Sequence, residues 1–334
     1  MNKIINSIKI GFSIIGAVIG AGFISGREIM KFFYGKNLII SVSVVFLSLF
    51  TFIYIILKID DKKTSWLIEK STALIYLFNV LIMASMFSAT QSLATQLLPI
   101  KYLPSVIPIA IAGISTWICF NGIDKLESVN SILIPVMMVV FFIAVIFTYN
   151  RENIYIADNV FSIDVVSYAS MNIFLAQPFL LNVKKEKNKF SPFFVAFFSA
   201  IILSVAIFAF LLILSDDCLN CDIPLIYLTK NSSFLSALIT IIVFLSILTT
   251  VISVQFPFGC ILKNKFSCVP MVIVTVIAFA ISKIGFYMIV DKVYPVIAII
   301  SLLYYAIIAI LWLIFQAGRL KSTLNLQARI GGQY

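Results

Sequence analysis

Gly16–Met30 reads GAVIGAGFISGREIM: four glycines, at 16, 20, 22 and 26, inside an apolar run that ends on an arginine and a glutamate. Glycine weakens a helix, and charge is costly in a bilayer. Two readings of the run stay open. Gly16 and Gly20 form G-x-x-x-G, which lets a second helix approach closely. Alternatively, Gly20-Ala21-Gly22 lets the backbone unwind, which a membrane tolerates only where the freed groups line a cavity or bind something.

The rest of the chain makes this a membrane question. Apolar residues are 62% of the 334, and charged residues 11%; mean hydropathy is +1.11. A soluble domain is about half apolar and a quarter charged. Several stretches of about 18 or more residues lack charge, enough to cross roughly 30 Å of hydrocarbon. The spans expected are 7–33, 37–58, 65–99, 104–120, 126–149, 163–183, 190–214, 234–262, 268–285 and 292–316, with a polar tail at 317–334. The first is expected to be a retained span, without the small-x-small cleavage pattern of a secretory signal.

Lys and Arg set orientation. With the N-terminus inside, sixteen of the 24 basic residues fall on the inner side and eight on the outer. The inner set includes Lys58, Lys62, Lys63, Lys125, Lys184, Lys185, Lys263 and Lys265; the outer set includes Arg27, Lys31, Lys101, Arg151 and Lys230. Trp66, Trp117 and Trp312 fall at the inner boundary. This predicts a multi-pass protein of the cell membrane with both termini cytoplasmic. The net charge of +10 thus reflects orientation and not nucleic-acid binding, and there is no histidine. Ten spans divide into halves at 7–149 and 163–316, within one transmembrane domain. Five spans per half reverse the second half, the arithmetic of an inverted repeat.

Depth favours the broken helix. With the inner boundary near Ile8, Gly20–Gly22 lie roughly 18–21 Å in, at or past mid-membrane. Arg27 and Glu28 then belong to a short outer half-helix facing water or a partner.

GAVIGAGFISGREIMKFF resembles the opening of YkvI-type membrane proteins, whose usual form reads like GxxxGAGFASGQE, with Arg27 standing where Gln is expected. GIDKLESVNSILIP (Gly122–Pro135) resembles their span 5. More distantly, the first span is similar to that of the amino acid–polyamine–organocation superfamily and of LeuT-type transporters. The resemblance implies an all-α membrane fold of about ten helices in a 5+5 inverted repeat, with helices 1 and 6 discontinuous. It also implies a cation site between spans 1 and 8: carbonyls of Gly16, Ile19 and Ser246 with the hydroxyls of Thr249 and Thr250. Five neutral oxygens suit a hard monovalent cation, Na⁺, although relatives of this geometry also couple to protons. Scattered Ser and Thr otherwise bond their own i−4 carbonyls.

A solute is expected at the span 1 break (Gly20, Ala21, Gly22), opposite a second break in span 6, SYASMNIFLAQPFLL (Ser167–Leu181), where Tyr168, Asn172 and Gln177 are polar and Pro178 disrupts. Ala84, Phe87, Ser88 and Gln91 share a face of span 3 that would wall the site. Free amides at a half-helix start favour a carboxylate, so the solute expected is an amino acid or similar zwitterion. Glu28 either carries a proton or pairs with Arg27 or Lys31.

Cys218 and Cys221 form C-x-x-C among acidic residues in the 215–233 connection. Without a second pair or histidines this is no zinc ribbon, which leaves an incidental role or a disulfide. Cys119, Cys260 and Cys268 read as small apolar residues. No cofactor is expected beyond Na⁺, and no catalytic constellation appears. Two functions follow: a secondary transporter of a small zwitterion coupled to Na⁺ or H⁺, or a non-transporting, amino-acid-sensing receptor subunit on the same fold. The partners expected are the solute and the lipid bilayer; oligomeric state is left open.

Overall fold

Each of the ten apolar segments carries helix among its described residues. The computed structural model describes residues 2–59, 62–97, 103–120, 123–149, 162–184, 187–259 and 268–331. Lys101, Arg151, Lys185, Lys263, Lys265, Cys260 and Gly122 lie outside them, as do the side chains of Lys62, Lys63, Lys125 and the tail.

The helices are α1 (Asn2–Val18), α2 (Ala21–Ser25), α3 (Arg27–Phe33), α4 (Leu38–Lys58), α5 (Lys62–Leu97), α6 (Leu103–Phe120) and α7 (Ile123–Thr148). They continue as α8 (Ile163–Lys184), α9 (Pro192–Leu211), α10 (Pro224–Leu228), α11 (Ser233–Gly259), α12 (Cys268–Ile281), α13 (Phe286–Met288) and α14 (Tyr294–Gly331). Among the described residues there is no strand. Among the described residues, five helical stretches are long and apolar enough to cross a membrane: Leu38–Lys58, Trp66–Thr95, Pro192–Leu211, Ser233–Gly259 and Phe286–Gln316. Shorter apolar helices cover Pro104–Phe120, Ile132–Thr148 and Cys268–Ile284. The protein is therefore an all-α, membrane-embedded one.

Local chemistry sets several boundaries. Asn37 caps α4, its side-chain oxygen accepting from the Ile40 amide at 3.1 Å. Ser191 caps α9, with Pro192 in the first turn, where a missing N–H costs nothing. Between α12 and α14 the chain runs through a 3₁₀ turn, α13 and a single π turn, Ile289–Val293.

Packing follows small residues and aromatic rings. Gly11 of α1 lies against Phe198 and Ser199 of α9. Phe174 of α8 meets Tyr304 and Tyr305 of α14 edge-on. Gln255 ties α11 to α6 and α12 through Ser115, Thr116 and Thr275, at 2.7–2.9 Å. Helices α1, α5, α8 and α11 meet in the middle; α4 packs on α8 and α9, and α6 and α12 pack on both α5 and α11. The outward faces carry exposed large apolar side chains, among them Trp66, Trp117, Phe147 and Ile314.

A broken helix over a buried cavity

Helix α1 stops at Val18, and the break falls on Ile19 and Gly20, slightly earlier than the Gly20–Gly22 expected. The Gly20 amide turns to the Val18 carbonyl (2.9 Å), which releases the Gly16 carbonyl from its i→i−4 partner. Gly20 is extended (φ −91°, ψ −178°), and the Ile24 amide restarts the helix by bonding Gly20 at 3.0 Å. No donor among the described residues reaches the Ile19 carbonyl.

Gly26 interrupts the chain a second time. At φ +85° it is left-handed, a conformation that costs a side-chain-bearing residue about 1–2 kcal/mol. This turn sends α3 off in its own direction and sets Arg27 and Glu28 side by side. Gly22 is required for space: a Cβ there would fall on the Glu28 carboxylate. Gly20 is required in the same way, since its Cβ would sit 3.0 Å from the Thr250 hydroxyl of α11.

A cavity of about 60 Å³ opens beside the break, lined by residues of α1, α5, α8, α11 and α14 with Gly20 and Glu28. That is room for a few waters or a solute with a handful of non-hydrogen atoms. Its polar lining is Ser13, Gly20, Glu28, Asn172, Thr250, Ser253 and Tyr294. From Glu28 it extends past the break to Ser13, Phe179 and Pro257, towards the end of the bundle holding the N-terminus of α1, here called proximal.

The distal end is sealed. The Arg27 guanidinium pairs with Asp291 at 2.8 Å and donates to the carbonyls of Leu219 (2.5 Å) and Cys221 (3.3 Å). It also stands 3.9 Å from the Tyr287 ring centroid, a cation–π distance. One side chain thus joins the broken span, the 215–233 connection and the π turn. Lys36–Asp164 (2.5 Å) and Tyr34–Asp216 add further distal ties.

Glu28 is not the partner of Arg27, and Lys31 is exposed. The glutamate is 5% exposed, and its Oε2 has no partner among the described residues. Tyr168 faces it without closing a well-formed hydrogen bond, its ring held between Phe32 and Phe33. Asn172 Nδ2 donates to the Tyr168 carbonyl (3.0 Å), which leaves its amide oxygen and one N–H for the cavity. Tyr294, which the sequence reading missed, shares a 2.8 Å hydrogen bond with Ser85. Asp291 was missed too; an acid three residues before a helix opened by YP was the signal, given an arginine needing a partner in span 1.

Three expectations need correction. Span 6 is not discontinuous: α8 runs unbroken from Ile163 to Lys184, because it has no glycine and Asn172 bonds within its own helix. The span 3 wall is Ile82 and Met86; Phe87 and Gln91 turn instead towards α12 and its end, meeting Phe279 and Ser282, and Ser88 is buried off the cavity lining. Gln177 is tied to Ser71 (3.2 Å) and Tyr304 (2.9 Å), and Tyr168 stands behind Glu28 rather than on the lining.

Of the expected cation ligands, Thr249 and Thr250 both donate to the Ser246 carbonyl, at 3.0 and 2.8 Å. These are the ordinary helix-internal bonds of such residues, but the hydroxyl lone pairs remain. Contact of Gly20 with Thr250 brings the break to this turn. Among the described residues no three His, Cys, Asp or Glu cluster to hold a metal.

Cys218 and Cys221 are free thiols. Burial pushes both up, with Asp217 adding to each and Asp222 to Cys221; Ser215 pulls Cys218 down and Arg27 pulls Cys221 down. The chain matches no protein-family model and no curated protein sequence.

Proposed function

We propose that the protein is a secondary active transporter of a small zwitterionic solute, an amino acid, coupled to Na⁺ or H⁺ by alternating access. The observation that carries this reading is a helix broken beside a buried cavity, with Glu28 on its wall, that leads to one end of the bundle while the other end is closed by Arg27. Unwound backbone at a cavity is where secondary transporters hold solute and ion.

The packing supports a 5+5 repeat. Exchanging spans 1–5 for spans 6–10 maps most of the closely packed helix pairs onto one another. The pair α1·α9 becomes α8·α4, α1·α7 becomes α8·α14, α11·α7 becomes α5·α14, and α11·α6 becomes α5·α12; all eight pairs occur. On this reading the proximal end is cytoplasmic, and the arrangement is inward-facing.

Reconstitution into proteoliposomes tests the proposal. Small radiolabelled amino acids are expected to accumulate under an imposed Na⁺ or proton gradient and to leak back when it is collapsed. Loss of Na⁺ dependence in Thr250→Ala would assign the ion to the span 1–span 8 site. Binding without accumulation or exchange under any gradient would overturn transport and favour the receptor reading.

A further inference from the structure

The charge inside the cavity narrows what it holds. Its lining contains one acid, Glu28, and no lysine or arginine. The cations nearest in sequence are committed elsewhere or exposed: Arg27 to Asp291 and two carbonyls, Lys36 to Asp164, and Lys31 to solvent. Every element packed against α3 gives the same answer. Helix α8 offers Tyr168 to Glu28 and keeps Asp164 on Lys36; α2 and α9 have no titratable residue; the π turn brings Asp291, held by Arg27, and Lys292, which is exposed. Tyr294 completes the set from α14.

A carboxylate buried without a positive partner is kept only with a cation on it, because its desolvation is otherwise uncompensated. The cavity wall adds acceptors to this charge: Asn172 Oδ1 and the lone pairs of the Tyr294 hydroxyl both belong to residues of the lining. An acidic seat with acceptors on its wall matches a group with three N–H donors and a positive charge. A free carboxylate would be repelled there.

Resting on the transport reading above, we propose that Glu28 is the seat of the solute's amine, and that the amine enters by displacing a proton. The step balances: Glu28–COOH plus R–NH₃⁺ gives the Glu28–COO⁻···⁺H₃N–R pair and one H⁺, which leaves through the proximal opening. The solute class is then small primary amines, amino acids included, oriented with nitrogen towards α3 and any carboxylate towards the span 1 break.

Three probes cut from one skeleton separate the charges: L-alanine, ethylamine, which lacks its carboxylate, and propionate, which lacks its amine. They are added as chloride or potassium salts, without sodium, to the purified full chain. Ethylamine and alanine are expected to raise the melting temperature of the wild type, as a ligand of the folded state must, and propionate is expected not to. A pH-indicating dye in weak buffer should register close to one proton released per ethylamine bound. Glu28→Gln should fold with an unliganded melting point at or above that of wild type, and should bind both amines at least about tenfold more weakly, a loss of about 1.4 kcal/mol. Glu28→Asp should keep the preference for amine over propionate.

Wild-type-like binding of ethylamine by Glu28→Gln, a propionate response without an amine response, or amine binding without proton release would each overturn the proposal. So would wild type that ignores all three probes. If Glu28→Gln is not monodisperse, proton release by the wild type decides. Alanine binding that survives in Glu28→Gln sinks the amine seat alone and leaves the transport reading standing; the proteoliposome assay judges that reading separately.

Discussion

At the scale of single residues, Arg27 ties several elements together. It is 3% exposed, and it is bound to an acid, two carbonyls and a ring at once. Arg27→Gln strands Asp291 and is expected to destabilise the protein by on the order of 3 kcal/mol, read as a lower melting temperature. The same variant should speed the reaction of Cys218 with an impermeant maleimide, because the connection covering that thiol is no longer latched. Thiol chemistry also supplies a pH test. The thiolate is the nucleophile, so a raised pKa leaves less of it at any given pH. Alkylation of Cys218 and Cys221 should therefore be slower at neutral pH than that of a free thiol, and should keep rising at pH values where a free thiol has levelled off. Peptide mapping by mass spectrometry reads both sites. The acidic flank of these thiols is legible in the sequence, but burial, the larger cause, is not, since burial comes from tertiary packing.

At the scale of elements, the first span is three helices joined by two glycine hinges. Gly26→Ala should cost about 1–2 kcal/mol from backbone strain, and more from the Phe210 ring, 2.9 Å from the added carbon. Gly22→Ala should spare the hinge and displace the Glu28 carboxylate, weakening solute binding with little change in unliganded stability. Uptake and melting curves on the two variants separate these effects. The break was legible in sequence because glycine spacing reports backbone freedom directly. The continuity of α8 was harder to read: Asn172 and Pro178 look like disrupters, yet Asn172 satisfies itself one turn back and Pro178 is accommodated inside the helix. The lining of α5 was missed for a related reason. A helix in the middle of a bundle is apolar nearly all round, so spacing does not say which face meets the cavity.

At the scale of the whole molecule, the cavity leads to one end and the Arg27 seal closes the other. With that seal on the outside, Ser13→Cys and Ser253→Cys should react with an impermeant maleimide in inside-out vesicles and stay protected in right-side-out ones. Reversal of that pattern would invert the orientation inferred from the basic residues. Apolar helical segments could be read from hydropathy, since a span must match the thickness of the bilayer; which helices touch could not, because lipid-facing and buried positions are equally apolar. The seal has a further consequence, for biogenesis. Arg27 and Asp291 lie 264 residues apart, so the ribosome delivers the first half of the pair long before the second. At ~5–20 residues per second the delay is on the order of tens of seconds. Through that interval the nascent protein holds an unpaired guanidinium in its first segment, a natural point of recognition for insertion chaperones and quality-control proteases.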